Sequence, residues 1–289
     1  MGEGRGDSGR AGGPRDRAGP LALALAVALA LAGCARMPPE DLSRDPAALL
    51  LEVESAQGRI ASVRGTARVR VRSPKLDARV QEFLAAEKPD RLRLETLDFF
   101  GNPAAVMVAA GGRFAFLDAR ANVFYRGAAS PENLARLVPV PIPVEELVTI
   151  LCGSAPLVSA APREVLVEGD LLALTLGEDD LGERLLVGEG ARVVAARLAR
   201  GAEAGAPPSY ELGFARFIRR AGAPFPRAVT LEDRAAAARV ELLWREDVEV
   251  GEGLDEGLFR LEPPRGARVV DLAPGEGIRG EPLLEPPRE

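Results

Sequence analysis

Apolar and polar residues alternate along much of this 289-residue chain. In Thr66–Arg72 the side chains of Ala67, Val69 and Val71 share one face, and three arginines share the other. A period of two is typical of a strand with one buried and one solvated face. Arg91–Glu95 repeats the pattern. Further strands, separated by Gly or Pro turn signals, are predicted at 79–88, 104–110, 113–118, 122–126, 163–168, 171–176, 183–188, 192–199, 209–219, 226–232 and 238–250.

The period changes to that of a helix at two places. Asp45 before Pro46 is a helix start, and apolar residues then recur at helical spacing, which predicts a helix over 46–57. Ser130 before Pro131 begins a second helical region. After a stiff proline-rich segment, Val144–Leu151 continues it with apolar residues at helical spacing. This second region is therefore predicted to be a pair of helices.

The predicted elements define a mainly β protein with some α-helix. One antiparallel sheet of about eleven strands is too large to stay flat, so it must curl. Its apolar concave face needs a cover, and the two helices that interrupt the strands can supply it. We therefore expect an incomplete barrel with an α-helical lid over residues 46–262. A flexible loop is expected at 201–208, and an irregular tail at 263–289, where Pro, Gly and Glu are abundant.

The N-terminus has the layout of an export signal. A segment containing four arginines precedes Leu21–Ala32, an unbroken run of Leu, Ala and Val that is too short to span a bilayer as a helix. Leu31-Ala32-Gly33-Cys34 resembles the lipobox of bacterial lipoproteins. The resemblance implies a signal peptide at 1–33, cleavage before Cys34, acylation of Cys34 and a lipidated tether at 34–45. The alternative is an ordinary thiol after a Leu/Ala helix.

Charge and cysteine content exclude several classes of function. The chain has 37 basic and 43 acidic residues, a net charge of −6. Residues 1–33 carry a net +1, so the remaining 256 residues carry about −7. Nucleic acid is an unsuitable partner, because phosphate binding requires a concentrated basic face. Cys152 is the only cysteine besides Cys34, so no disulfide framework is expected.

The sequence also lacks the usual parts of a catalytic site. It contains no histidine, the commonest general base and metal ligand. Cys152 lies late in an apolar helical pattern and is predicted to be a buried thiol. Glu178-Asp179-Asp180 could bind a cation, but its place between a strand and Gly182 favours a solvated turn. Gly111-Gly112 has no phosphate-loop pattern around it. We therefore expect a protein that is not an enzyme and has no cofactor or metal.

Three segments resemble a known family. Asp98-Phe99-Phe100-Gly101 forms a turn between two predicted strands, and Pro141–Gly153 contains Pro-Ile-Pro followed by a helix that ends in Gly. Both are similar to the outer-membrane lipoprotein receptor LolB, in which a Pro-Ile-Pro helix forms part of the lid. Leu258–Ala267 is similar to the C-terminal signature of LolA, a periplasmic carrier of the same fold. The resemblance implies an eleven-stranded half-barrel with a helical lid.

The resemblance also implies a function. It suggests a lipid-anchored protein on the periplasmic side of the outer membrane that binds acyl chains of lipoproteins and helps insert them. Its partners would be acylated lipoproteins, a LolA-like carrier and membrane lipids, and it would be a monomer. Ala35 after the lipidated cysteine resembles lipoproteins sorted to the outer membrane. The alternative is a lipid or lipoprotein sensor, or an accessory subunit of an envelope complex, that transfers nothing.

The alternation selects candidate residues for a lipid-binding cavity. Their side chains are predicted to face inward from strands or from the lid, although the same set could instead fill a solid core. They are Val69, Val71, Leu92, Leu94, Val106, Val108, Phe114, Phe116, Leu147, Ile150, Leu151, Val240, Leu242 and Trp244.

Phe99 and Phe100 need a separate explanation. Neighbouring residues in a strand point to opposite faces, so one interior cannot easily hold both rings. In LolB the corresponding turn carries an exposed apolar residue that helps put cargo into the membrane, and Phe100 before Gly101 matches that position. We expect Phe99, Phe100 and Gly101 to form a membrane-touching loop. The alternative is a plug at the open end of the barrel.

Overall fold

The computed structural model describes residues 1–2, 37–74, 76–134, 142–178, 181–200, 209–251 and 253–273. The chain divides into a short unit, Met1–Met37, and a large unit, Pro38–Glu289. The predicted signal peptide, Cys34 and the loop at 201–208 lie outside the described residues. So do residues 135–141 of the predicted lid and the tail beyond 273.

Fifteen strands lie within the described part of the chain, and all of them belong to one sheet. They are β1 (Ser62–Ser73), β2 (Leu76–Glu87), β3 (Arg91–Leu97), β4 (Pro103–Ala110), β5 (Arg113–Asp118), β6 (Val123–Ala128), β7 (Pro162–Glu168), β8 (Leu171–Glu178), β9 (Leu181–Gly188), β10 (Arg192–Ala199), β11 (Tyr210–Arg220), β12 (Ala223–Asp233), β13 (Ala238–Trp244), β14 (Glu249–Gly251) and β15 (Arg268–Asp271). Each stretch of predicted alternation overlaps a strand. The count exceeds the expected eleven: the sequence predicts thirteen stretches of alternation, the stretch at 238–250 divides into β13 and β14, and β15 overlaps no predicted strand.

The sheet is curled and does not close, which confirms the predicted incomplete barrel. Its strand order is β15-β6-β5-β4-β3-β2-β1-β13-β12-β11-β10-β9-β8-β7, and β14 pairs with β1. β1 is therefore central and joins the two halves of the chain by pairing with both β2 and β13. Neighbouring strands are antiparallel except β15, which pairs with β6 in parallel.

Three α-helices accompany the sheet in the described residues: α1 (Pro46–Gln57), α2 (Pro131–Leu134) and α3 (Val144–Leu151). α1 begins as predicted, since the Asp45 side chain accepts a hydrogen bond from the backbone N–H of Ala48 at 2.8 Å. Leu49 and Val53 of α1 are buried where the helix contacts β7, β8 and β10. α3 contacts β2 and β3. The two helices thus cover different parts of the sheet.

The chain is packed up to the start of the expected irregular tail, and one stretch of the tail itself forms a strand. Leu254, Leu258 and Leu261 pack on the side of the sheet opposite α3, around the buried ring of Phe259. A 3-10 turn at Glu256–Phe259 precedes the expected tail, and strand β15 lies within it. Pro and Gly content predicts irregularity for 263–289, but pairing with β6 makes Arg268–Asp271 a strand.

Replacing Gly153 with Ala should destabilise the fold strongly. Gly153 ends α3 with a φ of +76°, and a Cβ atom there would lie 2.5 Å from Cδ of Pro226. We expect a loss of about 3 kcal/mol in the free energy of unfolding, because left-handed strain and overpacking add. The measurement is urea-induced unfolding.

Gly169→Ala is the matched control. Its φ is +60°, but nothing lies within 4 Å of its added Cβ atom. This variant should lose only about 1–2 kcal/mol, the cost of the strained backbone. Equal losses in the two variants would show that the contact with Pro226 is unimportant.

Candidate functional site

A small, partly open cavity lies between α3 and the curled sheet. Its volume is about 60 Å³ for the centre of a water-sized sphere. Eleven of its twelve lining residues are apolar, and the exception is Glu82. The lining residues are Val69, Val71, Glu82, Leu84, Leu94, Leu147, Ile150, Leu151, Val229, Leu231, Val240 and Leu242.

Strand register places the wall residues together. Val69 pairs with Leu242, which pairs with Val229 on the next strand. Because paired residues on neighbouring strands point to the same side, this row forms one continuous apolar surface. We call this side, which faces α3, the inner face. The arginines of β1 alternate with its valines and therefore lie on the outer face.

Some of the residues predicted to line a lipid-binding cavity do lie around this one. Eight of the candidate residues line it: Val69, Val71, Leu94, Leu147, Ile150, Leu151, Val240 and Leu242. Four others are buried away from it: Leu92, Phe114, Phe116 and Trp244. The Phe116 ring centroid lies 6.5 Å from that of Phe114, and Trp244 lies 6.2 Å from Phe225. For these four the alternative prediction, a solid core, describes their position.

The inward orientation predicted for Val106 and Val108 is wrong. Leu94 of the inner face pairs with Met107, so Met107 faces inward and its two neighbours face outward. Val106 and Val108 are buried against Phe259 on the outer face. β4 is apolar on both sides, since a second layer covers it, and alternation therefore could not assign its faces.

Sequence reasoning did not identify four of the lining residues: Glu82, Leu84, Val229 and Leu231. Glu82 could have been found. It lies in the alternating row Ala78, Val80, Glu82, Leu84 and Ala86, in which every other member is apolar. A carboxyl group in such a row faces the interior if the row does.

Glu82 is a buried acid with few polar contacts. Its side chain is 5% exposed. The Thr96 hydroxyl donates a hydrogen bond to Oε1 of Glu82 at 3.2 Å. No described residue forms an ion pair with Glu82, and burial raises the pKa of its carboxyl group to about 7. Its neutral, protonated form therefore persists to a higher pH than in an exposed glutamate.

A polar cluster connects α3 to the sheet. Glu146 of α3 forms an ion pair with Arg200, which follows β10. The Tyr210 hydroxyl donates a hydrogen bond to Oε2 of Glu146 at 2.6 Å. The two charged side chains are 19% and 17% exposed, so water screens the ion pair only partly. We call Glu146, Arg200 and Tyr210 the α3 clamp.

The aromatic pair between β3 and β4 is exposed. Phe99 and Phe100 are 95% and 84% exposed, and their ring centroids are 5.6 Å apart. Oδ1 of Asp98 accepts hydrogen bonds from the backbone N–H groups of Phe100 and Asn102 at 2.9 and 2.8 Å. Gly101 adopts a φ of +85°. The turn is thus held by its own hydrogen bonds, and its exposed rings do not form the alternative plug. We call Phe99 and Phe100 the phenylalanine tip.

Arginines line a shallow groove on the outer face near this tip. The groove has a volume of about 570 Å³ for the centre of a water-sized sphere, and its basic residues are Arg68, Arg70, Arg79 and Arg216. Arg70 pairs with Asp77, but the other three form no ion pair with the described residues. Gln81 pairs with Leu97 at the end of β3. Arg79, two residues further along β2, therefore lies at the same end of the sheet as the phenylalanine tip. We call these four residues the arginine surface.

Other candidate chemistry gains no support from the geometry. Cys152 is buried, and burial raises the pKa of its thiol to about 12. Asp179 and Asp180 of the candidate cation turn lie outside the described residues. Among the residues that are described, no cluster of three or more His, Cys, Asp or Glu could hold a metal ion. None of the described helices has both the length and the apolar character needed to cross a membrane.

Comparison with known proteins gives matches to solved structures alone. No family model matches the sequence, and no curated protein matches it. A LolA-superfamily protein from Nitrosomonas europaea matches with a TM-score of 0.50 and 12% identity, over 74% of this chain and 97% of that one. A domain from Vibrio parahaemolyticus, described as an outer membrane lipoprotein-sorting protein domain, matches with a TM-score of 0.50 and 12% identity. The match covers 73% of this chain and 95% of that one.

A third solved structure extends the likeness. A DUF1329 family protein from Desulfovibrio piger matches with a TM-score of 0.53 and 10% identity, over 75% of this chain and 98% of that one. At these identities the likeness shows the fold alone. The chain shares the fold of these structures, which include a LolA-superfamily protein, and nothing in the likeness favours LolB over other members of that superfamily.

Proposed function

We propose that this protein binds the acyl chains of lipoproteins beneath α3 and helps insert them into the outer membrane. The observation that carries this proposal is the apolar cavity between α3 and the inner face. In this proposal Cys34 anchors the chain on the periplasmic side, and a LolA-like carrier delivers the cargo.

The energetics of acyl chains explain why such a cavity is needed. Transfer into water costs about 0.8 kcal/mol per methylene group, and three chains contain on the order of 45 of these groups. Unassisted desorption would therefore cost tens of kcal/mol. A wall made of Val69, Leu242 and Val229 can replace the membrane interior as the apolar surroundings of a chain.

The closed cavity is too small for such a ligand. Its volume of about 60 Å³ is well below the roughly 300–1,000 Å³ of a typical pocket for a small ligand. The acyl chain of a lipoprotein occupies a larger volume than this cavity offers. Binding therefore requires α3 to move away from the sheet, and the α3 clamp is the polar connection that must break.

The phenylalanine tip and the arginine surface supply a route to the membrane. Exposed phenyl rings gain free energy by entering the apolar part of a bilayer. Arginines bind phosphate groups and are attracted to anionic lipids. Since both features lie at the same end of the sheet, one orientation brings them to the membrane together.

Filling the cavity tests the proposal. Leu242→Trp places a larger side chain in the cavity, so we expect at least a tenfold loss in affinity for a fluorescent triacylated peptide. The measurement uses a soluble version lacking Cys34, with the peptide presented by a LolA-like carrier.

Leu243→Trp is the matched control, because Leu243 is the next residue on β13 and does not line the cavity, although both leucines line the groove with the arginines. This variant should bind like the parent. If both variants unfold at the parent's temperature and bind equally well, the cavity is not the binding site. Binding without onward delivery to liposomes would instead favour the non-transferring sensor or accessory subunit.

A further inference from the structure

We propose that Glu82 recognises the carbonyl group of an ester- or amide-linked acyl chain inside the cavity. The site would then select lipids by the bond that attaches their chains, as well as by their hydrocarbon. This inference rests on the proposed function, since it assigns a ligand group to the same cavity.

The position of Glu82 is the first support. It is the one polar residue among the twelve that line the cavity. Oε1 accepts the hydrogen bond from Thr96, whereas Oε2 has no hydrogen-bond partner among the described residues. Oε2 is therefore available to pair with a ligand atom, and the apolar surroundings of the cavity strengthen such a hydrogen bond.

The protonation state decides which ligand atom fits. The other cavity-lining residues from β1, β2, β3, β12, β13 and α3 are all apolar, so no cation faces Glu82. Alternation puts Arg68 of β1 and the ion pair of Arg93 with Glu95 on the outer face. Glu145 of α3 is exposed, and Glu146 is held in the α3 clamp.

These surroundings explain why the pKa of Glu82 is raised to about 7. A neutral carboxyl group donates its O–H, so its partner must be an acceptor. The acceptor on an acylated lipid is the ester or amide carbonyl oxygen. An ammonium group would require the ionised carboxylate and would give the opposite pH dependence.

The experiment compares two lipids that differ only in this acceptor. Binding of a diacylglycerol and its dialkyl ether analogue, with equal chain lengths, is measured at about pH 5.5 and about pH 8.5, on either side of the pKa of Glu82. The parent should prefer the ester about three- to tenfold at the lower pH, the factor for one neutral hydrogen bond. The preference should vanish at the higher pH, where the carboxyl group has lost its proton.

Two variants make the test specific. Glu82→Gln donates through its amide N–H at any pH and should prefer the ester at both pH values. Glu82→Leu should show no preference at either. If Glu82→Leu does not fold, the test rests on Glu82→Gln, which should prefer the ester over the ether equally at both pH values.

Several outcomes would overturn the inference. The parent could bind ester and ether equally at the lower pH, Glu82→Leu could keep the preference, or ester binding could strengthen with rising pH. If instead no form binds either lipid at any pH, the proposed function itself fails. The two failures are therefore distinguishable.

Discussion

Glutamates at both positions of the phenylalanine tip, Phe99→Glu and Phe100→Glu together, should weaken membrane binding about a hundredfold or more. Each buried phenyl side chain contributes about 1.5–3 kcal/mol, so two contribute about 3–6 kcal/mol. The two added charges also oppose insertion and repel anionic lipid. The measurement is co-sedimentation of the Cys34-lacking protein with anionic phospholipid vesicles.

The same change should leave the fold intact. Both rings are exposed, and the turn is held by Asp98 rather than by the rings. Leu51→Glu is the control, because Leu51 is a 65% exposed apolar residue on α1, away from the tip. Its vesicle binding should match that of the parent. Parent-like binding by the double variant would show that the tip does not enter membranes, and unfolding of that variant would mean that the rings are structural.

Vesicle composition separates the tip from the arginine surface. Arginine contacts with phosphate are screened by salt, whereas burial of phenyl rings is not. Added salt should therefore weaken binding of the parent to anionic vesicles and have little effect with neutral ones. Arg68, Arg79 and Arg216 are the residues responsible, because none of them forms an ion pair with a described residue.

The sequence predicted much of the fold because the inner and outer faces have different compositions. In β1, valines alternate with arginines, so its buried face could be assigned directly. α1 was predictable from Asp45 and Pro46, which act locally. These features depend on residues that are close in the chain.

Other features depend on contacts between distant parts of the chain. Val106 and Val108 look like inner-face residues until Phe259, some 150 positions later, is known to cover their side of the sheet. Parallel pairing of β15 with β6 is equally non-local. The sequence shows Glu82 as a charged residue in an otherwise apolar row. That Glu82 lies beside a cavity could not be predicted without knowing where α3 packs on the sheet.

The cavity and the α3 clamp are two parts of one equilibrium. A ligand that binds only when α3 is displaced has an apparent affinity reduced by the rarity of that state. The clamp lowers the free energy of the closed state, so it reduces the fraction of molecules in which α3 is displaced. Its strength should therefore appear in ligand affinity as well as in protein stability.

Glu146→Gln should accordingly tighten lipid binding. The substitution removes the charge that pairs with Arg200 and weakens the hydrogen bond from Tyr210, while it keeps the size of the side chain. Hydrogen bonds to charged groups contribute about 1.5–3 kcal/mol, so a mostly closed protein should gain about ten- to a hundredfold in apparent affinity. The measurements are titration with a fluorescent triacylated peptide and hydrogen exchange of the α3 amides, which should become faster.

Glu232→Gln is the matched control for the clamp. It removes one partner of the outer-face ion pair with Arg239, in which the side chains are 36% and 40% exposed. It makes the same chemical change without touching α3, so affinity should stay within about twofold, given the small contribution of exposed pairs. Weaker binding by Glu146→Gln would mean that the clamp belongs to the ligand-bound form. Unchanged binding with unchanged exchange would mean that α3 need not open, and the small closed cavity would then have to accept its ligand in another way.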